Sequence, residues 1–307
     1  MAYGTLSVDS IKPSSSGLTV SGSVGSINTF GFKNRIINGA MRIAQRATSA
    51  TITAGSTIAA GYSTVDRFYV YCTGANVTAA QVAGASPILN NLQITGAASV
   101  TAIGVGQRIE AQNSADLAGQ TATLSVNMSN SLLTTVTWTA YYANTTDTFG
   151  TLASPTVTQI ATGSWTVTST LANYNAQITV PSAATTGIQL VLTVGAQISG
   201  TWVIGNMQFE AGSVATTFDY RDYGAELLKC QRYYQVMTIY TLAKTAQYDS
   251  NGWIDILTYP DKRVTPIVTT SVAMSQPGSR ITKNRALLTS SSAVDGGTAY
   301  IDAETYS

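Results

Sequence analysis

Short stretches in which apolar and polar residues alternate fill the middle of the chain. In the stretch that begins at Thr121, the residues Ala122, Leu124, Val126 and Met128 fall on one face, and threonine, serine and asparagine fall on the other. A period of two is typical of a β-strand with one buried face. The same pattern predicts further strands over residues 134–142, 165–169, 176–180, 188–194 and 201–209.

Turn-forming residues separate these predicted strands, among them Gly163-Ser164 and Pro181-Ser182. No helical period interrupts the series. Many short strands in succession predict an antiparallel sandwich or barrel. The fold class is therefore predicted to be mainly β.

One amphipathic helix is predicted directly after the last of these strands, over residues 222–236. It opens at Asp222, whose carboxylate suits the N-terminal end of a helix, and Leu227, Cys230 and Tyr234 recur with helical spacing. Strand-like segments then resume at 253–257, 265–272 and 299–304. These predict a second β unit of about 70 residues, which is small enough to need an interface for its stability.

The beginning of the chain is rich in glycine and serine and poor in large apolar side chains. Because such a segment buries too little surface to offset its ordering entropy, it is either a flexible tail or an extended arm that orders against another chain. The alternate spacing of Leu6 and Val8 and of Leu18 and Val20 favours the arm. The predicted organisation is an extended N-terminal arm (1–32), a β-sandwich domain (33–221), a helical neck (222–240) and a smaller C-terminal β domain (241–307).

Charge and composition exclude several classes of function. Charged residues make up 10% of the 307 residues, and the chain contains no histidine. With 16 basic and 15 acidic residues, the chain lacks the basic excess that binding to nucleic acid needs. The absence of histidine counts against Ser–His, Cys–His and zinc-dependent mechanisms.

The cysteines and the hydropathy of the chain indicate the cellular compartment in which the protein is made. Cys72 and Cys230 are far apart and in no paired motif, and both are predicted to be free, buried thiols. No apolar run reaches the roughly 18 residues of a membrane-spanning helix, and no secretory signal opens the chain. The protein is therefore expected to be made in a cytoplasm and not to insert into a membrane.

Candidate catalytic groups are few. A pair of carboxylates could hydrolyse a glycoside, but none stands in a recognisable motif, and Asp66 beside Arg67 is interpreted as a structural ion pair. Gly104-Val-Gly106 lacks the third glycine of a phosphate-binding loop. No enzyme activity is expected. The aromatic residues of strand-like segments are either core residues or platforms for sugar stacking, namely Trp138, Tyr141, Tyr142, Trp165, Trp202 and Trp253.

Three segments resemble one family. Residues 33–46 (KNRIINGAMRIAQR), followed by 63–71 (STVDRFYVY), resemble the opening of a widespread family of tailed-phage tail-fibre and virion structural proteins. Residues 204–236, with an EAGS turn and the run ELLKCQRYY, resemble the segment that closes the sandwich and starts the helix in that family. Residues 258–271 and the ending YIDAETYS look like its small C-terminal β domain.

The resemblance implies a non-enzymatic virion component, in the first place a tail fibre that recognises and attaches to host-surface glycan. A capsid-decorating head fibre or cement-like assembly protein is the alternative, and a polysaccharide-degrading tailspike is a second alternative. Synthesis in the host cytoplasm and location in the virion follow from this expectation. So do attachment to other virion proteins through the arm and a homotrimer, whose candidate neck contacts are Leu227, Leu228, Cys230 and Tyr234.

Recognition is expected in the loops of the C-terminal domain, because loops carry binding residues on rigid sheet scaffolds. A host cell-surface polysaccharide is the partner expected there. The candidate receptor contacts are Tyr248, Trp253, Tyr259, Lys262, Arg263, Arg280, Lys283 and Arg285.

The NGAM and NMQFE segments also resemble the first and last strands of carbohydrate-binding jelly-roll modules, which implies a jelly-roll sandwich. Such modules often hold a structural calcium ion through acidic residues in these two strands. Here Met41-Arg42 and Gly205-Asn206 stand where those acidic residues are expected. No cofactor is therefore expected, with structural calcium as the alternative.

Overall fold

The computed structural model describes residues 33–55, 61–85, 88–240, 243–244, 253–274, 281–290 and 295–304. The predicted arm, 1–32, lies outside these residues and stays a prediction. Eleven strands precede the α-helix: β1 (Ser49–Ile52), β2 (Tyr69–Thr73), β3 (Val77–Ala83), β4 (Asn90–Thr95), β5 (Ala102–Ile109), β6 (Thr121–Asn130), β7 (Thr135–Ala143), β8 (Val157–Thr166), β9 (Ala172–Thr179), β10 (Ile188–Val194) and β11 (Thr201–Ala211).

These strands form two antiparallel sheets that pack face to face. Sheet I has six strands in the order β1-β3-β4-β11-β6-β9, and sheet II has five in the order β2-β5-β10-β7-β8. Neighbours in both sheets are frequently far apart in sequence, so the connections cross from one sheet to the other. The prediction of a mainly β chain with an antiparallel jelly-roll sandwich is confirmed.

The hydrophobic core lies between the two sheets, because alternate residues of each strand point inward. Leu124, Trp202 and Phe209 of sheet I pack in one cluster with Val105 and Leu192 of sheet II. Burying a side chain of this size contributes roughly 1.5–3 kcal/mol. Since each strand has one face in this core, the residues on the other face of sheet II point away from the core.

The strands predicted between 121 and 209 are confirmed to within a few residues, except for β8 and an earlier start of β9. A strand was predicted at 165–169 after a turn at Gly163-Ser164, whereas β8 begins at Val157 and pairs with β7 through both turn residues. A Cβ at Gly163 would collide with the indole of Trp138. Glycine here makes room for a neighbouring ring and does not mark a turn.

Helix α1 (Tyr223–Gln231) begins where it was predicted, since the carboxylate of Asp222 accepts a hydrogen bond from Ala225 N at 3.0 Å. Its predicted continuation to residue 236 is wrong. The chain turns after Gln231, and β12 (Tyr234–Tyr240) follows as a strand. A strand partner far along the chain outweighs the helical spacing of this segment, so the predicted neck, 222–240, contains a helix and a strand.

The C-terminal unit is built from two small sheets, β12-β17-β15 and β13-β14-β16. Ile239, Leu257, Val268, Leu288 and Ile301 form its buried cluster. Its boundaries with the sandwich stay a prediction. Besides β12, its strands are β13 (Ala243–Lys244), β14 (Trp253–Thr258), β15 (Ile267–Thr270), β16 (Arg285–Ser290) and β17 (Asp295–Asp302).

A buried ion pair joins the C-terminal unit to the sandwich. Arg67, two residues before β2, is fully buried and pairs with Glu304, two residues after β17. The Arg67 guanidinium also lies 3.3 Å from the ring centre of Tyr233. Arg46 pairs with Asp302 at 3.0 Å in the same contact. The C-terminal unit is therefore packed against the sandwich through one ion pair that is buried, Arg67–Glu304, and one that is partly exposed, Arg46–Asp302.

The prediction that Asp66 and Arg67 pair with each other is wrong, because each contacts a different residue. The carboxylate of Asp66 accepts hydrogen bonds from the main-chain and side-chain nitrogens of Gln45, whereas Arg67 reaches across to Glu304. Burial raises the pKa of Asp66, against the opposing influence of Gln45 and nearby arginines. Adjacent residues of opposite charge thus point to different partners.

Both cysteines are free and buried, as predicted. Burial raises the pKa of the Cys230 thiol well above its ordinary value, which disfavours the reactive thiolate. In the part of the chain that the structure describes, no helix combines the length and apolarity needed to cross a membrane.

Candidate functional site

A groove runs over the outer face of sheet II, where β2, β5, β10 and β7 lie side by side. It encloses about 310 Å³, at the lower end of the range of about 300–1,000 Å³ found for small-molecule sites. Two rows of outward-facing residues cross these strands in register: Tyr69, Gly106, Val191 and Thr139 in the first, and Tyr71, Gly104 and Thr193 in the second.

Two glycines of β5 form the floor of this groove. A Cβ at Gly106 would collide with the hydroxyl end of Tyr69, and a Cβ at Gly104 would collide with the ring of Tyr71. Because neither position carries a side chain, both tyrosines of β2 extend across β5. Any larger residue at these two positions would displace the rings that shape the groove.

A third tyrosine, Tyr141 of β7, faces the first two from the other side of the groove. Burial raises the pKa of Tyr71, and the nearby phenol of Tyr141 raises it further. Burial also raises the pKa of Tyr69 far above its ordinary value. The phenols of Tyr69 and Tyr71 therefore keep their protons near pH 7 and present O–H groups that can donate as well as accept hydrogen bonds. The residues that we call the tyrosine groove are Tyr69, Tyr71, Cys72, Thr73, Arg108, Thr139, Tyr141, Thr151, Leu152, Pro155, Val157, Gln189, Val191 and Thr193.

The loop between β7 and β8 forms one wall of the tyrosine groove. Phe149 anchors this loop, because its ring is buried beneath α1 in a cluster with Cys230 and Tyr233. The next residue, Gly150, has a φ of 69° and accepts a hydrogen bond from Arg108 Nη2 at 3.0 Å. The loop is thus fixed by the buried ring of Phe149 and by the hydrogen bond from Arg108 to Gly150 O.

Two polar groups at the base of the groove are almost completely withdrawn from water. The guanidinium of Arg108 donates to Gln189 Oε1 at 2.9 Å and lies 5.6 Å from the ring centre of Tyr69. The hydroxyl of Tyr69 is fully buried and has no hydrogen-bond partner among the described residues. A buried hydroxyl without a partner costs about 1–3 kcal/mol. A ligand oxygen that reached this hydroxyl from the groove would remove that cost.

Of these groove residues, the sequence predicts a possible binding role for Tyr141 alone. The alternation in YVYCT and AIGVGQRI places Tyr69, Tyr71 and Arg108 on the face opposite the core, and that signal was available. Gly104-Val-Gly106 was considered only for phosphate binding. Two glycines one residue apart in a strand also indicate a surface on which neighbouring side chains lie.

Most of the other aromatic candidates are packed in the core of the sandwich or against it. Trp202 is fully buried. The ring centres of Trp138 and Trp165 are 6.1 Å apart. Trp165 also donates its indole N–H to Asn175 O at 2.9 Å. Tyr142 packs against the core. Tyr141 is therefore the aromatic candidate that faces the groove. For Trp253 the structure describes the strand β14 and not the side chain.

Within the described residues, the candidate receptor contacts are divided between buried and exposed positions. Tyr259 is buried in the C-terminal cluster, and Lys262 is buried at the contact with the helix, so neither side chain is accessible to a receptor. Arg263 lines a separate cleft with Glu110 and Arg232. Lys283 and Arg285 are exposed. Tyr248 and Arg280 lie outside the described residues, and a receptor role for the accessible candidates stays a prediction.

Burial of Lys262 predicts a pH dependence of stability. Its ammonium group donates to Gln231 O and to Gln235 Oε1, and desolvation lowers its pKa from 10.5 to about 7. The unfolded chain retains this proton up to its higher pKa, so it binds more protons than the folded chain between the two values. The free energy of unfolding should therefore rise with pH in that window.

The Lys262→Met variant should lose this rise, because methionine fills the same space without a titrating group. Urea unfolding at about pH 7 and about pH 8.5, below the ordinary pKa of tyrosine, measures it. The exposed Lys283 provides a matched control, and Lys283→Met should keep the wild-type dependence. An identical dependence in all three proteins would contradict the assignment to Lys262.

The candidate neck residues are divided between the interior and the surface of this one chain. Cys230 is buried, Leu227 packs beside it, and Tyr234 is buried beneath the Arg46 guanidinium, which lies 3.7 Å from its ring centre. Leu228 is 58% exposed. Of the four, Leu228 is the one whose side chain points to the solvent, and the trimer stays a prediction.

The side chains at the positions considered for calcium do not suit that ion. Met41 is buried, and Arg42 brings a positive charge that lies 5.3 Å from the ring centre of Tyr223. Asn206 offers a neutral amide, which donates to the hydroxyl of Tyr220 at 2.8 Å. Calcium prefers several oxygen ligands that include carboxylates. These residues place a cation and an amide where carboxylates would be needed.

Comparisons with known proteins find no family model and no curated protein that matches this chain. Solved structures do resemble it. A family 4 carbohydrate-binding module is 13% identical, with a TM-score of 0.37 over 57% of this chain and 98% of that one. The C-terminal family 22 carbohydrate-binding module of Clostridium thermocellum Xyn10B is 13% identical, with a TM-score of 0.35 over 61% and 99%.

The enzymatically active domain of bacteriophage CBA120 tailspike protein 4 is also similar to part of this chain. It is 15% identical, with a TM-score of 0.34, over 58% of this chain and 21% of that one. The identities and scores of all these likenesses are low, and neither a ligand nor an activity follows from them.

Proposed function

We propose that this chain is a glycan-binding protein that holds its ligand in the tyrosine groove without cleaving it. The observation that carries the proposal is the arrangement of Tyr69, Tyr71 and Tyr141 around a floor of two glycines, with a buried tyrosine hydroxyl that has no partner within the described part of the chain. Concave sites that combine apolar rings with a few placed polar groups are typical binding sites for small molecules.

The chemistry of the groove matches the two sides of a sugar ring. A pyranose has an apolar C–H face and a rim of hydroxyl groups, and tyrosine combines an apolar ring with a polar end. Thr139 and Thr193 supply further hydroxyls, and Gln189 supplies an amide that can donate and accept. Charged groups are few, as suits a ligand recognised by hydrogen bonds and ring contact.

The Tyr141→Ala variant tests the proposal. After a glycan array has identified a ligand of the full chain, the variant should bind it about tenfold more weakly or worse, because truncating a central aromatic contact commonly costs more than 1 kcal/mol. Isothermal titration measures the affinity, and analysis of the glycan after incubation shows whether its length is unchanged.

Tyr300→Ala is the matched control, because Tyr300 is a partly exposed strand tyrosine on the C-terminal unit. It should bind the glycan as the wild type does. Wild-type affinity in Tyr141→Ala, or an array on which the full chain binds no glycan, would refute binding in the groove. Shortened glycan chains would replace binding alone with hydrolysis.

The finer proposal is that this glycan-binding chain is a virion subunit of a tailed phage, in the first place a tail fibre. It is supported by the resemblance of residues 33–46, 63–71 and 204–236 to that family. A homotrimer with Leu228 in its contact and attachment through residues 1–32 belong to the same proposal. Native mass spectrometry tests the trimer. Antibody-labelled electron micrographs of the particle test the location, and label on the head would replace the fibre with a head-decorating protein.

A further inference from the structure

The tyrosine groove has a charge of one sign. Among the described residues that line it, Arg108 carries a full charge, and aspartate and glutamate are absent. The remaining lining residues are neutral hydroxyl, amide, thiol or apolar side chains. A ligand in this groove therefore meets a positive charge with no carboxylate beside it in the lining.

The guanidinium of Arg108 is held in a defined position. Its Nε donates to Gln189 Oε1 at 2.9 Å, and its Nη2 donates to Gly150 O at 3.0 Å. Both of these acceptors are neutral oxygens. The rings of Tyr69 and Phe149 lie with their centres 5.6 Å and 5.4 Å from the guanidinium carbon. An arginine that is already ordered loses little conformational freedom when it binds an anion.

The hydroxyl of Tyr69 complements this charge. It lies over Gly106 at the base of the groove, fully buried, with no hydrogen-bond partner among the described residues. Beside a guanidinium, which only donates, the most favourable partner for both groups is an oxygen that only accepts. A carboxylate provides two such oxygens, whereas a sugar hydroxyl provides one weaker acceptor. Hydrogen bonds to an ionised acceptor are roughly twice as strong as those to a neutral one.

We infer that the tyrosine groove selects glycans that carry a carboxylate, such as those containing uronic acid, and that Arg108 and Tyr69 hold this group. The inference rests on the proposed function, since it specifies which glycan the same groove prefers. Tyr71 and Tyr141 then contact the sugar ring that bears the carboxylate.

A panel of uronic acid-containing oligosaccharides and their carboxyl-reduced counterparts tests the inference. Each pair has the same linkage and length, and its members differ in the carboxylate alone. The full chain should bind the acidic member at least about tenfold more tightly, equivalent to 1.4 kcal/mol. Added salt should weaken binding of the acidic member more than binding of the reduced member.

Three variants locate this preference. Arg108→Gln should bind both members of a pair with similar affinity, and Tyr69→Phe, which keeps the ring and removes the hydroxyl, should reduce the preference. Arg108→Lys keeps the charge without the planar fork and should retain part of it. Circular dichroism and a thermal melt confirm that each variant is folded. If Arg108→Gln fails to fold, Tyr69→Phe and the salt dependence of the wild type still decide the question.

The outcomes separate the two proposals. Equal or tighter binding of the reduced members overturns the preference for acidic glycans and leaves glycan binding in place. A preference that persists unchanged in both Arg108→Gln and Tyr69→Phe overturns the assignment to these residues. Binding to no member of any pair, and to no glycan on the array, overturns the proposed function itself.

Discussion

Replacing Glu304 by alanine is expected to lower the free energy of unfolding by about 3–5 kcal/mol. The carboxylate of Glu304 pairs with Arg67, whose side chain is completely buried where the C-terminal unit meets the sandwich. The variant keeps the desolvated guanidinium and removes the opposite charge that offsets its desolvation. Urea unfolding, followed by tryptophan fluorescence, measures the loss as a lower midpoint.

Asp116→Ala is the matched control, because Asp116 also pairs with an arginine, Arg35 at 2.6 Å, but its side chain is 54% exposed. Water screens such a pair, so the loss should stay below about 1 kcal/mol. The double variant Arg67→Met, Glu304→Leu removes both buried charges and should recover most of the stability. Equal losses in Glu304→Ala and Asp116→Ala would contradict a special contribution from the buried pair.

The same ion pair connects the C-terminal unit to the tyrosine groove. Arg67 donates from Nη2 to the main-chain oxygen of Arg108 at 2.6 Å, at the end of β5 that carries the groove arginine. Ala303 N also donates to Tyr233 O at 2.7 Å. A chain truncated after residue 240 would lack Glu304 and would disturb the sandwich. Roles for the C-terminal loops in recognition are therefore better tested with point variants of exposed residues such as Lys283.

The strands of the sandwich from β6 to β11, apart from β8, could be predicted because their alternation is a local property of the sequence. Thr121–Asn130 places its apolar residues in the core at the predicted period. The error at β8 arises from a contact with another strand, which is not a local property of the sequence. Gly163 resembles a turn in the sequence alone, and its reason for being in a strand is the ring of Trp138, which lies on the neighbouring strand.

Long-range partners also explain the errors at the helix and the charges. Tyr234 continues the helical spacing of α1, yet it pairs with Asp302, which is distant in sequence. Arg67 stands beside Asp66 and pairs with Glu304. No local pattern contains these partners, so the sequence predicts that the C-terminal unit needs an interface but not which residues form it.

The tyrosine groove was missed for a related reason. Alternation shows that Tyr69, Tyr71 and Arg108 share the outer face of their strands, but it does not show which strands are neighbours. The order β2-β5-β10-β7 brings Tyr141 opposite the first two tyrosines. The sequence instead predicts receptor contacts in the loops of the C-terminal unit, and two of the predicted residues, Tyr259 and Lys262, are buried.

The Asn38→Ala variant is expected to lose about 3–5 kcal/mol of stability, because one buried side chain satisfies three main-chain groups. Asn38 Nδ2 donates to Ile43 O at 2.8 Å and to Asp66 O at 3.0 Å, and its Oδ1 accepts from Ile43 N at 3.0 Å. Its φ of 60° is left-handed, a conformation that asparagine tolerates better than alanine. Thermal and urea unfolding both measure the change.

Asn38→Gly separates the two causes. Glycine adopts the left-handed conformation without strain, so the variant should be more stable than Asn38→Ala by about 1 kcal/mol while still lacking the three hydrogen bonds. Asn76→Ala is the control, because Asn76 is an exposed asparagine that accepts one hydrogen bond, from Ala54 N at 2.9 Å. Its loss should be about 1 kcal/mol or less. If Asn38→Gly were as stable as the wild type, the backbone conformation and not the buried hydrogen bonds would account for the asparagine at this position.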